Sequence, residues 1–241
     1  QAYAGIALAL TAPFLGAFAD AGGRRKPWVT GCSLVTIVAC SALWFATPEA
    51  DDTRLFFIVS LVVIGIIGAE SAIVFNNAML PDLVSEKGLG KLSGQGWAMG
   101  YAGALLALPI MLWVTGQLPG VPGPQWDASL RIGERLTGPF VAIWFAVFMI
   151  PFLAFTPEHP ARAAPTPKVL DTVRGTWATI KNLPKRPNVL RYLIARMAYY
   201  DGLNAVFAFG SIYAAARLDW STTELGLFGI IILLFGAPGC L

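Results

Sequence analysis

The stretch GAFADAGGRRKPW, Gly16–Trp28, lies between two long apolar runs, and its reading decides how the rest of the chain is understood. A glycine-rich turn carries one carboxylate, Asp20, and ends in three consecutive basic residues, Arg24, Arg25 and Lys26. The runs on either side approach the roughly 20 mostly apolar residues that an α-helix needs to cross a bilayer. A basic turn between two such runs marks a loop held on the cytoplasmic side of a membrane. The Gly-Lys-Ser/Thr pattern of a phosphate-cradling loop is absent. Charge anchoring alone explains the three cations but leaves Gly16, Asp20 and Gly23 unexplained.

Composition agrees with membrane residence. Of 241 residues, 56% are hydrophobic and only 13% are charged, and the mean hydropathy is +0.64. Soluble domains carry about 25% charged residues, so this chain has too little charge to cover a water-facing surface. Its 8 Trp suit the headgroup boundary, where indole rings concentrate. A net charge of +3 gives no reason to expect a nucleic-acid partner. Cys32, Cys40 and Cys240 lie in apolar runs without ligand spacing, and His159 has no companion ligand, so neither a metal nor a cofactor is expected. No nucleophile–base pair suggests an enzyme. The basic residues follow the first apolar run instead of preceding it, which argues against a signal peptide. Gln1 and the apolar ending GAPGCL read as the ends of an interior piece of a longer chain.

Seven apolar segments are expected to be membrane helices, at about 1–19, 28–46, 55–79, 93–117, 139–156, 189–214 and 222–241. If the loop 20–27 is cytoplasmic, so are 80–92 and 157–188. Arg24, Arg25, Lys26, Lys87 and Lys91, with seven more in and just after the third loop, place twelve basic residues on that side. Arg54, Arg131, Arg135 and Arg217 make four on the other. That asymmetry orients the chain. Within 157–188, Val169, Leu170, Val173, Trp177 and Ile180 recur at helical spacing, with Lys168, Arg174 and Lys181 elsewhere on the wheel. Thr166 and Pro167 suit the start of an amphipathic helix lying on the cytoplasmic membrane surface.

The opening stretch closely resembles the signature loop between the second and third helices of major facilitator transporters: Gly, three residues, Asp, two residues, Gly, then basic residues. Gly16, Asp20, Gly23, Arg24, Arg25 and Lys26 match it in type and spacing. Three further patterns are similar to the vacuole-effluxer-like branch of that superfamily. These are Asn77, Leu80, Pro81 and Asp82; then Ser93, Gly96, Gly100 and Tyr101; then Tyr199, Asp201 and Gly202. The resemblance implies an all-α integral membrane protein of the major facilitator type, with about seven of twelve transmembrane helices. Residues 1–156 would be helices two to six of the first bundle, 157–188 the basic connector, and 189–241 helices seven and eight of the second. It implies that Asp20 pairs with a helix N-terminus and basic residues at the seam between bundles, as a gating latch. A carboxylate so placed gains about 0.3–1 kcal/mol when exposed. Fungal members of the branch are associated with amino-acid release from the vacuole.

Ionisable residues inside a span are costly, and they mark a substrate or proton pathway or an interhelical pair. Asp201 falls near the middle of 189–214, with Tyr200 adjacent and Asn204 one turn on. Glu70 falls in 55–79 with Asn77 two turns further on the same face. Arg196 lies about 9 Å in from the cytoplasmic end of its segment. Asp201 or Glu70 could carry a proton, and carboxylates with an arginine could hold both ends of a zwitterion. Of Asn76 and Asn77, one is expected to face the cavity and the other to help end the helix at Pro81. Gly96, Gly100 and Gly103 form a small-residue face suited to helix packing. The reading is a secondary transporter working by alternating access, with the bilayer, a small solute such as an amino acid, and protons as partners; no oligomer is implied. A non-transporting scaffold or sensor is the alternative. Short loops suggest a bacterial inner membrane, a vacuolar membrane being the alternative.

Overall fold

The computed structural model describes residues 24–48, 51–157 and 169–240, together with Gly5, Leu8, Thr11, Leu15 and Gly16 as isolated helical positions. Among the described residues there are helices, short 3-10 turns and loops, and no strand. Continuous apolar runs in lipid can satisfy their backbone in no other way short of a closed barrel.

Helix α1 spans Lys26–Ala42 and is prolonged by a 3-10 turn at Leu43–Phe45. Pro27 sits in its first turn, where the missing N–H costs nothing. Helix α2 spans Asp52–Leu83; the Asp51 carboxylate caps its start by accepting from the Arg54 N–H at 2.9 Å. Helix α3 spans Leu89–Val114, the short α4 spans Ile132–Arg135, and α5 spans Thr137–Phe155. The connector helix α6 covers Val169–Asn182, as its amphipathic spacing requires. Helix α7 spans Pro187–Arg217 and α8 spans Thr222–Gly239, the latter opened by a reciprocal capping box between Ser221 and Glu224.

Four described stretches are long and apolar enough to cross a membrane: Lys26–Phe45, Asp52–Leu83, Glu86–Val114 and Ile132–Phe155. Helix α7 has the length but is diluted by Arg191, Arg196, Asp201 and Arg217, and the apolar part of α8 is the shorter stretch Thr223–Gly239. The expected first segment, 1–19, lies mostly outside the described residues, as do Thr166 and Pro167. The expected loop at 80–92 is corrected. Helix α2 runs through Pro81 to Leu83 and α3 begins at Leu89, leaving a link of only a few residues with a 3-10 turn at Glu86–Gly88. Pro81 lacks the N–H that would reach the Asn77 carbonyl, so the helix gives up one hydrogen bond there and ends two residues later.

Packing follows residue size. On α1, Val29, Ser33, Thr36 and Ala39 form a buried stripe at three- and four-residue spacing. It meets Gly65, Gly68, Ser71, Ala72, Phe75 and Met79 of α2. Lipid tails are as apolar as leucine, so helices associate here by close approach of small residues, not by the hydrophobic effect. The approach is closest at Gly68, where a Cβ would lie 2.6 Å from Thr36 Oγ1 and 2.9 Å from the Cys32 carbonyl. Helix α5 covers another side of α1, meeting it where Gly138 abuts the Cys40 carbonyl. Helix α3 leans away from this group and packs along α8. The outward faces carry exposed apolar side chains such as Val38, Phe56, Leu106 and Ile143, the surface that lipid demands. Near the ends of α1 and α3 opposite the basic turn, Arg135 donates to the Trp44 carbonyl from Nε at 3.0 Å and Nη2 at 2.8 Å and stacks over its ring. Trp113 and Trp126 bond loop and helix-end carbonyls there, as interfacial indoles do.

Candidate functional site

At the start of α1 the basic turn does more than carry charge. Arg25 Nη1 donates to the Asp82 carboxylate at 3.0 Å and also to the Ala78 carbonyl, both in the final turns of α2. Lys26 Nζ donates to the carbonyls of Leu153 at 2.7 Å and Thr156 at 3.0 Å, at the end of α5. Helix C-termini carry unpaired carbonyls and partial negative charge, so two cations from one turn clasp two neighbouring helix ends. Arg24 is exposed. Gly16 is helical, and a Cβ on it would meet no described atom within 4 Å. Asp20 and Gly23 lie outside the described residues, and the expected Asp20 contacts with them. Asp82 is the partner that sequence reading left unassigned. Its signal was present, since an acidic residue closing one span on the side of a basic turn has an obvious counter-ion.

Among the described residues, the polar residues expected inside the membrane are not gathered into one cluster. Glu70 is exposed on α2 and makes no ion pair among the described residues. Tyr200 and Asp201 are exposed on α7, as is Arg196, whose guanidinium donates to the Tyr192 hydroxyl at 3.2 Å one turn earlier. Asn204 lies on the same helix, and its side chain is outside the described set. The expected joining of carboxylates and arginine around a zwitterion is therefore not formed among the described residues. Helix α7 approaches the rest chiefly through α8, where a Cβ placed on Gly210 would lie 3.6 Å from the Phe228 ring.

The expected packing face at Gly96, Gly100 and Gly103 meets no neighbour among the described residues. A Cβ at any of the three would meet no described atom within 4 Å. The close contacts of α3 with α8 fall elsewhere: Gly94 faces the Cys240 carbonyl, Leu112 fills the space at Gly226, and the Tyr101 ring lies 3.1 Å from a Cβ placed on Gly236. Glycines on α8 thus receive large side chains from α3, a pairing that a single helix's own spacing cannot reveal.

Gly96 and Gly100 instead line an open cleft of about 210 Å³ between α2 and α3. Asn76, Asn77 and Ser93 supply its polar groups, and Ile73, Leu80 and Trp97 its apolar wall. Both asparagines face the cleft, so the expected division of labour between them does not hold. The helix continues past them because asparagine side chains that point outward do not compete for its backbone. Among the described residues no group of His, Cys, Asp or Glu could hold a metal ion.

A family model described as "Vacuole effluxer Atg22 like" matches residues 4–91 and 87–241. The chain is 24% identical over 230 residues to the "Uncharacterized MFS-type transporter YxiO" of Bacillus subtilis, covering 95% of this chain and 50% of that protein. It is 27% identical over 162 residues to "Autophagy-related protein 22-1" of Aspergillus clavatus, covering 62% of this chain and 26% of that one. The chain thus spans half or less of the length of the curated relatives it matches. No solved structure matches.

Proposed function

The chain belongs to the vacuole effluxer Atg22-like family, and on that premise we propose that it forms part of a secondary transporter that carries a small solute across a membrane by alternating access. It is an integral membrane protein of the major facilitator type, and not an enzyme. What supports transport is the seam between α3 and α8. There, glycines on one helix receive Leu112 and Tyr101 of the other, beside an open cleft with three neutral polar side chains. Small residues on one helix let its neighbour pack closely against it. A mostly apolar cleft carrying a few polar groups is where a solute would be held while access alternates.

On this reading residues 1–156 supply the first bundle, 157–188 the connector, and 189–241 the start of the second. The loops 20–27, 84–88 and 157–188 face the cytoplasm, and the membrane is a bacterial cell membrane. Asp201 is the proton carrier, with Glu70 as its alternate. The solutes are amino-acid-like. The test is proton-driven uptake and counterflow of labelled amino acids by the full-length protein in liposomes. Asp201→Asn is expected to abolish proton-driven uptake. Unchanged uptake beside robust wild-type activity would remove Asp201 from the mechanism. No wild-type flux across a broad solute panel would favour a scaffold or sensor.

A further inference from the structure

Asn76, Asn77 and Ser93 have no hydrogen-bond partner among the described residues, although all three belong to membrane-spanning helices. An unpaired carboxamide facing hydrocarbon is costly, so these groups need a polar companion. Asn77 lies about 9 Å inside the Leu83 end of α2, and Ser93 about 6 Å inside the Leu89 end of α3. The cleft they share therefore opens within the basic half of the membrane span. Its floor at Gly96 and Gly100 is bare among the described residues, none of which comes within 4 Å of a Cβ there, so a solute can reach the helix backbone. Trp97, 46% exposed, presents its indole to the same space.

The chemistry of the lining selects the guest. No charged residue lines the cleft, so an ionised group in it would be desolvated without a partner. The asparagine amides offer both donors and acceptors, and a carboxamide pairs with such a group reciprocally. Ile73 and Trp97 suit a short methylene stem. Glu70 stands one turn before Ile73 and about 10.5 Å before Asn77 on the same face of α2, and it is the nearest anion along that face. We infer that the cleft is the subsite for the uncharged, hydrogen-bonding side chain of a small α-amino solute, a carboxamide fitting best, with the ammonium end directed toward Glu70. This rests on the reading of the chain as part of a solute transporter.

The experiment uses the full-length protein in liposomes, with Cys32, Cys40 and Cys240 replaced by Ala and Leu92→Cys introduced at the cleft wall. That change leaves every polar group of the cleft in place. Alkylation of the new thiol by a charged maleimide is timed with L-glutamine, L-glutamate or L-leucine present, and flux is measured in parallel. L-glutamine is expected to slow labelling at concentrations at least tenfold below those needed with L-glutamate or L-leucine. Adding Asn77→Ala or Ser93→Ala is expected to raise the protecting L-glutamine concentration about tenfold while leaving the unprotected labelling rate unchanged. Equal protection by all three solutes overturns the inference. So does flux without protection, which leaves the transporter reading standing. Protection without flux upholds the subsite and overturns transport, and neither protection nor flux overturns both.

Discussion

Replacing Gly68 and Gly65 by alanine, one at a time, tests the closest approach of α1 and α2. The two glycines are three residues apart on the face of α2 that meets α1, yet their surroundings differ. A Cβ on Gly65 would sit 3.5 Å from the Ala39 Cβ, an ordinary contact. A Cβ on Gly68 would sit 2.6 Å from Thr36 Oγ1, 2.9 Å from the Cys32 carbonyl oxygen and 3.2 Å from the Thr36 nitrogen. Two of those neighbours are backbone and cannot rotate away. Both substitutions gain the same helix preference of alanine over glycine, about 0.5–1 kcal/mol, so it cancels between them. What remains for Gly68→Ala is overpacking, about 1–3 kcal/mol. Displacing Thr36 also strains its bond to the Gly65 carbonyl, now 3.2 Å, a loss of about 1 kcal/mol. Gly68→Ala is therefore expected to be about 2–4 kcal/mol less stable than Gly65→Ala. The assay is equilibrium unfolding of the full-length protein in mixed detergent micelles with increasing denaturing detergent. Equal stability of the two variants would refute the packing of α1 on α2 at this register.

Three further outcomes are expected. A double-mutant cycle on Arg25 and Asp82, whose side chains are 27% and 46% exposed, is expected to give a coupling of about 0.2–1 kcal/mol that weakens with salt; a value above about 2 kcal/mol would mean a far drier pair. Ser33 Oγ is buried with no partner among the described residues, so Ser33→Ala is expected to leave stability unchanged or raise it by up to about 1 kcal/mol, and a clear loss in the same unfolding assay would reveal a partner. In the loop after α3, the Ser129 hydroxyl at 2.6 Å and its N–H at 2.9 Å hold the Asp127 carboxyl below the usual carboxylate range. Because the folded value is the depressed one, that contribution is present above the ordinary carboxylate pKa and is lost as pH falls through the folded value; Ser129→Ala is expected to move the Asp127 titration upward in carbon-detected NMR.

Much of the site was open to sequence reading, and the misses share a cause. Arg25 and Lys26 were recognisable as cytoplasmic cations, but their acceptors lie more than fifty residues away, on α2 and α5. The glycines of α3 were legible as a small-residue face because spacing on one helix is a local property. Which face meets a neighbour is not local, and the close contacts moved to Gly226 and Gly236 of α8 because α3 supplies the bulky side chains there. Pro81 was read as a stop, although the helix runs two residues past it with the loss of one hydrogen bond at the Asn77 carbonyl.

By itself, the sequence determined membrane residence, helical architecture, the order of the spans and the amphipathic connector. These depend on transfer free energy and on periodicity, which are summed residue by residue along the chain. Tertiary structure alone decided that Arg25 and Lys26 clasp the ends of α2 and α5, that Gly68 is the tightest contact between α1 and α2, and that Asn76, Asn77 and Ser93 share one cleft. Those facts depend on how helices are rotated and tilted against one another. In lipid, where every outer face is equally apolar, that choice is made by the fit of small side chains against large ones and by the few polar groups that must find partners.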